Sequence, residues 1–444
     1  MQLLCLSVSY RNTPVKLREC MSLYPELVED ACLRYPVRRG EFAPISEMVV
    51  LSTCNRLEVY AVVASPGAEE ENEMMASIPI LTYLRQAFSI PDCQIVPYIV
   101  SYTGIEAVRH LFQVTAGLDS IAMGETQILG QVSRALESAL HQGSARHVLS
   151  SLFRAAIHTG KRVHSETEIG RRPTSISRIA VRLAESSLGE IGDLHILVIG
   201  AGRVGEYTLE ALREQNARQV LLTNRSEGRA VELARRQGGV VLPFERLKEG
   251  LILSDVVFTS TAAPFPIIHR DLIQEVIEQR PQTPLLLIDL SVPRNVDPGI
   301  REIPNVQLFD MDDIQSFALN HIQGGNQGFA KAEQIVEAEV AEYEKLFRVI
   351  PFIGELHKKM EHIRQREVEK TLRHLNSPNP QINEQIELLS RSLVQKILHE
   401  PTRHLRTETD QEALEDYVGT LARLFDLSEP DLASSKQNGG AWQP

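Results

Sequence analysis

A chain of 444 residues exceeds one ordinary hydrophobic core, so two or three domains are expected. With 43% hydrophobic and 23% charged residues it reads as globular, and no apolar run approaches the roughly 20 residues of a membrane span. The formal net charge of −12 argues against wholesale nucleic-acid binding. Cys5, Cys20, Cys32, Cys54 and Cys93 are irregularly spaced with no C-x-x-C, which argues against a disulfide framework or a zinc site. The strand-like start lacks a charged leader, so no targeting segment is expected and the compartment reads as reducing cytoplasm.

In chain order, residues 3–8, 48–52 and 59–63 pattern as strands, and 21–35, 80–88, 105–116 and 127–141 as helices. Residues 1–170 therefore read as an α+β domain. From 174 to 318, a helix at 175–187 precedes strands at 195–199, 220–223, 256–259, 285–289 and 306–309, most of them separated by helices. That alternation predicts a doubly wound parallel sheet. Beyond Asn320 the chain is helical to 432. A helix over 329–350, roughly 33 Å long, has an apolar stripe of Ile335, Val336, Val340, Tyr343 and Phe347. Pro351 is expected to stop or kink it. Helices at 353–375, 381–398 and 411–425 follow, and 433–444 reads as a disordered tail.

The first chemistry lies where the strand 48–52 gives way to Thr53-Cys54-Asn55-Arg56. A thiol at a strand end, two residues from a guanidinium, has the surroundings that favour a thiolate nucleophile. Its neighbours Ser52, Thr53, Asn55 and Arg56 are all polar, an odd setting for a cysteine kept for packing alone. A second constellation surrounds a glycine-rich turn: Ser120, Glu125, Thr126, Gln127 and Gln131 could converge on a polar ligand or simply begin a capped helix. His110, on the preceding helix, could be a core histidine or an acid/base group.

The second chemistry is Gly200-Ala201-Gly202-Arg203-Val204-Gly205, directly after an apolar strand and opening a helix. This is the context of a dinucleotide turn. The next strand ends in Asn224-Arg225 with no acidic residue for a ribose 2′-hydroxyl, so Arg225 is available for a 2′-phosphate and NADPH is the expected cofactor. Arg203 or Arg229 could serve instead, leaving Arg225 a loop residue. A nucleophilic thiol on one domain and a hydride source on another suit reduction of an activated acyl group. The stretch 146–182 is rich in arginine and lysine (Arg146, Arg154, Lys161, Arg162, Arg171, Arg172, Arg178, Arg182), a solvated face unless the substrate is polyanionic.

The runs 51–60 around Cys54, 117–132, the nucleotide turn, 289–296 from Asp289 to Val296, and Leu398-His399-Glu400-Pro401-Thr402 together resemble the glutamyl-tRNA reductase family in its own order over nearly the whole chain. The resemblance implies NADPH-dependent reduction of glutamyl-tRNA(Glu) to glutamate-1-semialdehyde through a cysteine thioester, the first step of tetrapyrrole synthesis by the five-carbon route. It implies Cys54 as nucleophile and His110 as a histidine important for activity. Thr53, Asn55, Arg56, Ser120, Glu125, Thr126, Gln127 and Gln131 would line the glutamyl pocket, with Arg56 on the substrate carboxylate. The implied architecture is a catalytic α+β domain, a Rossmann-like NADP domain, and a spinal helix leading to an all-helical dimerisation domain. The implied partners are a second copy, joined through the C-terminal helices, and the aminomutase that consumes the product. Two departures stand out: Tyr10 replaces a common histidine, and Arg171-Arg172-Pro173 replaces a small apolar stretch. Two other readings need fewer of these residues. A dehydrogenase of small hydroxy or keto acids would need only the middle domain, which resembles shikimate dehydrogenase. A non-catalytic regulator binding nucleotide and tRNA would not need Cys54.

Overall fold

A computed structural model of the chain describes residues 2–22, 45–53, 55–63, 80, 96–120, 127–167, 169, 175–322, 327–375, 380–408 and 411–427. The N-terminal domain runs β1 (Gln2–Ser9), α1 (Val15–Ser22), β2 (Ile45–Ser52), β3 (Arg56–Val63), β4 (Val100–Thr103), α2 (Gly104–Thr115), α3 (Gln127–His141) and α4 (His147–Glu166). Its strands form an antiparallel sheet in the order β2-β3-β1-β4. Alternation along each strand sends Leu3, Cys5, Val49, Leu51, Tyr60 and Val62 into one core with α2, α3 and α4.

α4 and β4 were not among the expected elements. The sequence 146–182 draws the eye by charge, yet Val148, Leu149, Leu152, Phe153, Ala156 and Val163 give α4 a buried face at helical spacing. β4 is half-buried or exposed throughout and carries no strong apolar signal. The N-terminus of α4 is capped from the sheet. The buried Glu47 carboxylate accepts the N–H groups of Arg146 (2.9 Å), Val148 (3.1 Å) and Leu149 (2.9 Å), satisfying donors that a helix start leaves free.

The middle domain runs α5 (Ile176–Leu188), β5 (His195–Ile199), α6 (Arg203–Glu214), β6 (Gln219–Thr223), α7 (Glu227–Gln237), β7 (Val240–Val241), α8 (Leu247–Leu253), β8 (Val256–Thr259), α9 (Arg270–Glu278), β9 (Leu285–Asp289), β10 (Val306–Phe309) and α10 (Met311–Ile322). All strands are parallel, in the order β10-β9-β8-β5-β6-β7. The chain order reverses at β5, between β8 and β6, the switch point of a Rossmann-type sheet. Separate apolar clusters cover its two faces, as a parallel sheet requires.

The last elements are α11 (Gln327–Leu375), α12 (Pro380–Thr407) and α13 (Gln411–Phe425). The helix does not stop at Pro351: α11 is continuous over 49 residues. Proline removes one helical hydrogen bond, but Val349, Phe352 and Ile353 are buried against Leu405 of α12 and Leu414 and Val418 of α13, so packing spans the interruption. α12 likewise runs through Pro401, beyond its expected end at 398. Upstream, Ile335, Val336, Val340 and Tyr343 lie in the N-terminal domain core. The spine is thus anchored at both halves. Among the described residues no helix is long and apolar enough to cross a membrane.

Replacing Glu47 by alanine strands three N–H donors, two of them buried, and we expect the N-terminal domain to lose about 2–4 kcal/mol. Urea unfolding followed by hydrogen exchange across α4 measures this. A loss below about 0.5 kcal/mol would mean that the cap adds nothing beyond a surface contact.

Candidate active site

β2 and β3 form a hairpin whose turn spans 53–56. Thr53 closes it: its N–H donates to the Arg56 carbonyl (2.9 Å), and its Oγ1 accepts the N–H groups of Asn55 and Arg56 (both 3.1 Å). The Asn55 carbonyl accepts the N–H of Tyr10 from the end of β1 (2.9 Å). Tyr10, the departure noted in the sequence, is buried and braces this turn through its backbone. Cys54 lies outside the described residues, but its neighbours on both sides are fixed.

Register then explains the polar cluster beside the turn. On the helix-facing side of the sheet, Tyr60, Glu58 and Arg56 alternate along β3 and pair across to Cys5, Ser7 and Ser9 of β1. Glu58, fully buried, collects donors from every side: Arg56 (2.6 Å), Ser7 (3.0 Å) and Tyr60 (2.7 Å). His110 Nε2 lies 2.8 Å from the same carboxylate, so this nitrogen carries the proton, and its ring stacks on Tyr102 at 4.1 Å. Burial pushes the Glu58 carboxyl up, but His110 and Arg56 outweigh it and hold the group well below its ordinary range. Burial and then Glu58 push the Cys5 thiol up. Cys5, Glu58 and His110 offer atoms within 4.8 Å of one another, the spacing of metal ligands. The Glu58 oxygens already accept from Arg56, Ser7 and Tyr60, so a metal there would have to displace those donors.

Arg56, expected as a buried guanidinium on the substrate carboxylate, is buried, and it is bonded on two sides, to Glu58 and to Asp119, whose carboxylate takes both Nη1 and Nη2 at 3.1 Å and whose carbonyl takes Nη2 as well. Arg11 also pairs with Asp119. The structure thereby brings 119–120 to Arg56, placing Ser120 next to the cluster in sequence. Gln127 and Gln131 begin α3 half-buried, with no hydrogen bond to the 53–56 turn among the described residues. Glu125 and Thr126 lie outside the described residues, as do Arg171, Arg172 and Pro173. Glu58 and Asp119, which build this cluster, were not among the expected site residues. The signal for Glu58 was the period-two Arg56, Glu58, Tyr60 set, obscured by starting the strand at Val59.

At the nucleotide turn, Gly200 has φ +119°, and a Cβ there would meet the Ser260 carbonyl at 2.4 Å. A Cβ on Gly205 would meet the Gly200 carbonyl at 2.1 Å, whereas Gly202 opens on free space. Gly202 also precedes α6 without a side-chain cap, leaving helix N–H groups for phosphate. The hydroxyls of Thr223 and Ser260, at the ends of β6 and β8, are buried without a hydrogen-bond partner. The Ala201 N–H donates to Asn224 (3.2 Å), tying the turn to the loop after β6. Arg203 and Arg225 are exposed, Val204 half-buried. The tight turn, the open glycine and the free donors fit a dinucleotide.

The fold and turn define an oxidoreductase that takes a nicotinamide cofactor, with a second domain bearing the hairpin turn. Residues 6–167 match the family described as glutamyl-tRNAGlu reductase, N-terminal domain; 182–317 match shikimate / quinate 5-dehydrogenase; and 331–427 match glutamyl-tRNAGlu reductase, dimerisation domain. The chain is 35% identical over 443 residues to glutamyl-tRNA reductase of Syntrophotalea carbinolica, covering 99% of this chain and 97% of that protein. It is 35% identical over 439 residues to that of Thermodesulfovibrio yellowstonii, covering 97% and 100%. Among solved structures it is similar to glutamyl-tRNA reductase from Methanopyrus kandleri, at 30% identity and TM-score 0.40 over 96% of this chain and 99% of that one. The chain belongs to the glutamyl-tRNA reductase family.

The Glu58 network has a pH signature. Its folded pKa lies below the ordinary 4.5, so its stabilisation is complete above that value and lost as pH falls through it toward the folded pKa. Glu58→Gln should flatten the fall in stability between about pH 5 and 3. An unchanged slope would place the acid sensitivity elsewhere.

Proposed function

We propose that this protein reduces glutamyl-tRNA(Glu) to glutamate-1-semialdehyde with NADPH and releases the tRNA, the first step of tetrapyrrole synthesis. Family membership supports the reaction class, and the observation that carries the reading is the 53–56 turn. Its backbone is held on both sides of Cys54 and lies beside a buried arginine, carboxylate and histidine. In this reading the Cys54 thiolate attacks the ester carbonyl, the C–O bond to the tRNA ribose breaks, and the departing oxygen takes a proton. The glutamyl group is then held as a thioester. Bound NADPH supplies the hydride that reduces it. The C–S bond breaks, the aldehyde leaves and the Cys54 thiolate returns.

The other residues take supporting roles. Arg56 offers a planar fork for the substrate side-chain carboxylate, which would replace the Asp119 carboxylate while Glu58 stays in place. Thr53, Asn55, Ser120, Glu125, Thr126, Gln127 and Gln131 complete the pocket. His110, fixed by Glu58 and Tyr102, serves proton movement. On the RNA side, Arg162 is paired with Glu166 and Glu339 and Arg178 with Glu214, which leaves Arg154 and Lys161 as exposed cations along α4. Dimerisation would use α12, where Leu388, Leu389, Leu393 and Ile397 are each more than half exposed. The domains are taken as 1–170, 174–318 and 320–432, with 433–444 as a tail, in a cytoplasmic enzyme. A reactive aldehyde product favours transient association with the aminomutase that consumes it.

Two substitutions test the chemistry. Cys54→Ser should abolish aldehyde formation while leaving tRNA binding intact, because serine without a dedicated base is a poor nucleophile. Aldehyde formation within about tenfold of the parent would remove Cys54 from the mechanism.

Arg225→Ala should weaken NADPH binding by about 1.5–3 kcal/mol with little effect on NADH, the range for a hydrogen bond to a charged group. Titration calorimetry with both cofactors separates this outcome from equal losses, which would make Arg225 a loop residue.

A further inference from the structure

α1 belongs to the N-terminal domain by sequence, but it is held by the middle domain. The Val15 side chain lies in the apolar cluster of the nucleotide-binding sheet, with Met311 and Ile314. The Val15 N–H donates to the Asp312 carboxylate at 2.9 Å, and Arg18 pairs with the same carboxylate. Arg18 is buried and also donates to the Thr13 carbonyl (3.1 Å) and to Oδ1 of Asn55 (2.9 Å), the residue after Cys54. The next side chain, Glu19, makes the opposite connection. Its carboxylate receives Arg294 three times, from the backbone N–H (2.7 Å), Nε (2.7 Å) and Nη2 (2.8 Å).

Arg294 stands on a loop whose shape is set by buried polar groups. Asp289, ending β9, accepts the N–H groups of Ser291 (3.0 Å), Asn295 (2.7 Å) and Val296 (2.9 Å), plus the Thr259 hydroxyl (2.7 Å). Asn295 in turn accepts from Thr261 and Ser291. Arg294 and Asp312 both follow the carboxyl ends of strands, the end of such a sheet at which a dinucleotide binds. The two pairs run in opposite senses, cation to anion and anion to cation, so only one relative placement of α1 satisfies both.

We infer that Arg18–Asp312 and Glu19–Arg294 form a latch that docks the cofactor end of the nucleotide domain on the Cys54 turn, making these four residues positioning residues for reduction. This deepens the proposed thioester reaction and rests on it. Acyl transfer to Cys54 uses only the N-terminal domain and does not need the latch. Reduction does, because the acyl group and the cofactor are carried by different domains. With the latch open, water reaches the thioester and the glutamyl group leaves as free glutamate.

The test uses the full-length chain with Glu19→Gln, Arg294→Gln, the double variant and Asp312→Asn. Without cofactor, hydrogen exchange at 15–22 should quicken about tenfold in each single variant, and the Glu19/Arg294 double variant should be no faster than either single one, as partners in one interaction require. With glutamyl-tRNA and NADPH in a single turnover, the ratio of aldehyde to free glutamate should fall at least about fivefold, while transfer of glutamate to Cys54 without NADPH stays within about twofold. Unchanged exchange and an unchanged product ratio would overturn the latch. Equal loss of glutamyl transfer would also overturn it, because the residues would then only shape the Cys54 turn. A parent enzyme that never forms the thioester would instead sink the functional reading, and the exchange measurements would still decide whether the two domains are held this way.

Discussion

One carboxylate fixes the geometry of the N-terminal site. Glu58 is fully buried, and burying a charge without partners would cost several kcal/mol. It persists as an anion because Arg56, His110, Tyr60 and Ser7 all direct donors at it. Each partner is in turn immobilised: the Arg56 backbone belongs to the Thr53-closed turn, and His110 rides on α2 with its ring on Tyr102. The same contact therefore sets where the turn points and where the histidine lies. Removing the carboxylate leaves a buried guanidinium with, among the described residues, Asp119 alone as counter-ion.

Most of the nucleotide domain's strands were legible, the two-residue edge strand β7 excepted. Strands expected at 195–199, 256–259, 285–289 and 306–309 coincide with β5, β8, β9 and β10. Parallel strands buried on both faces appear as continuous apolar runs bounded by turns, which is a strong signal. The dinucleotide turn was legible for the same local reason, since a tight turn and a close approach depend on neighbours in sequence. The N-terminal domain was harder. β3 starts at Arg56, three residues before the expected strand, because pattern reading places charged residues outside a buried strand. What makes Arg56 and Glu58 tolerable inside is His110 and Asp119, more than fifty residues away, and no local pattern reveals that pairing. The prolines misled in the opposite direction. Pro351 and Pro401 are local helix breakers, and tertiary packing by residues distant in sequence carries the helices through them.

Asp119 changes how Arg56 should be understood. An arginine waiting open for a carboxylate would be costly in a site shielded from water. Here an internal carboxylate already fills the fork, with Arg11 as a second cation at its rim. In the proposed reaction, a substrate carboxylate at Arg56 would exchange one ion pair for another, so its net gain in binding would be small compared with that at an open arginine. A ligand lacking the carboxylate would leave Asp119 in place and gain nothing from Arg56, so discrimination would come more by exclusion than by raw affinity.

The turn that carries Cys54 is consequently tethered from two directions. On one side Arg56 ties it to Glu58 and so to the core of its own domain; on the other, Asn55 ties it to Arg18 and through Asp312 to the nucleotide domain. The two tethers differ in kind. The Glu58 contacts are wholly buried and insensitive to salt, whereas Asp312 keeps a 40% exposed side chain. The inner tether is thus the stronger of the two and the outer one the more exposed to solvent and salt.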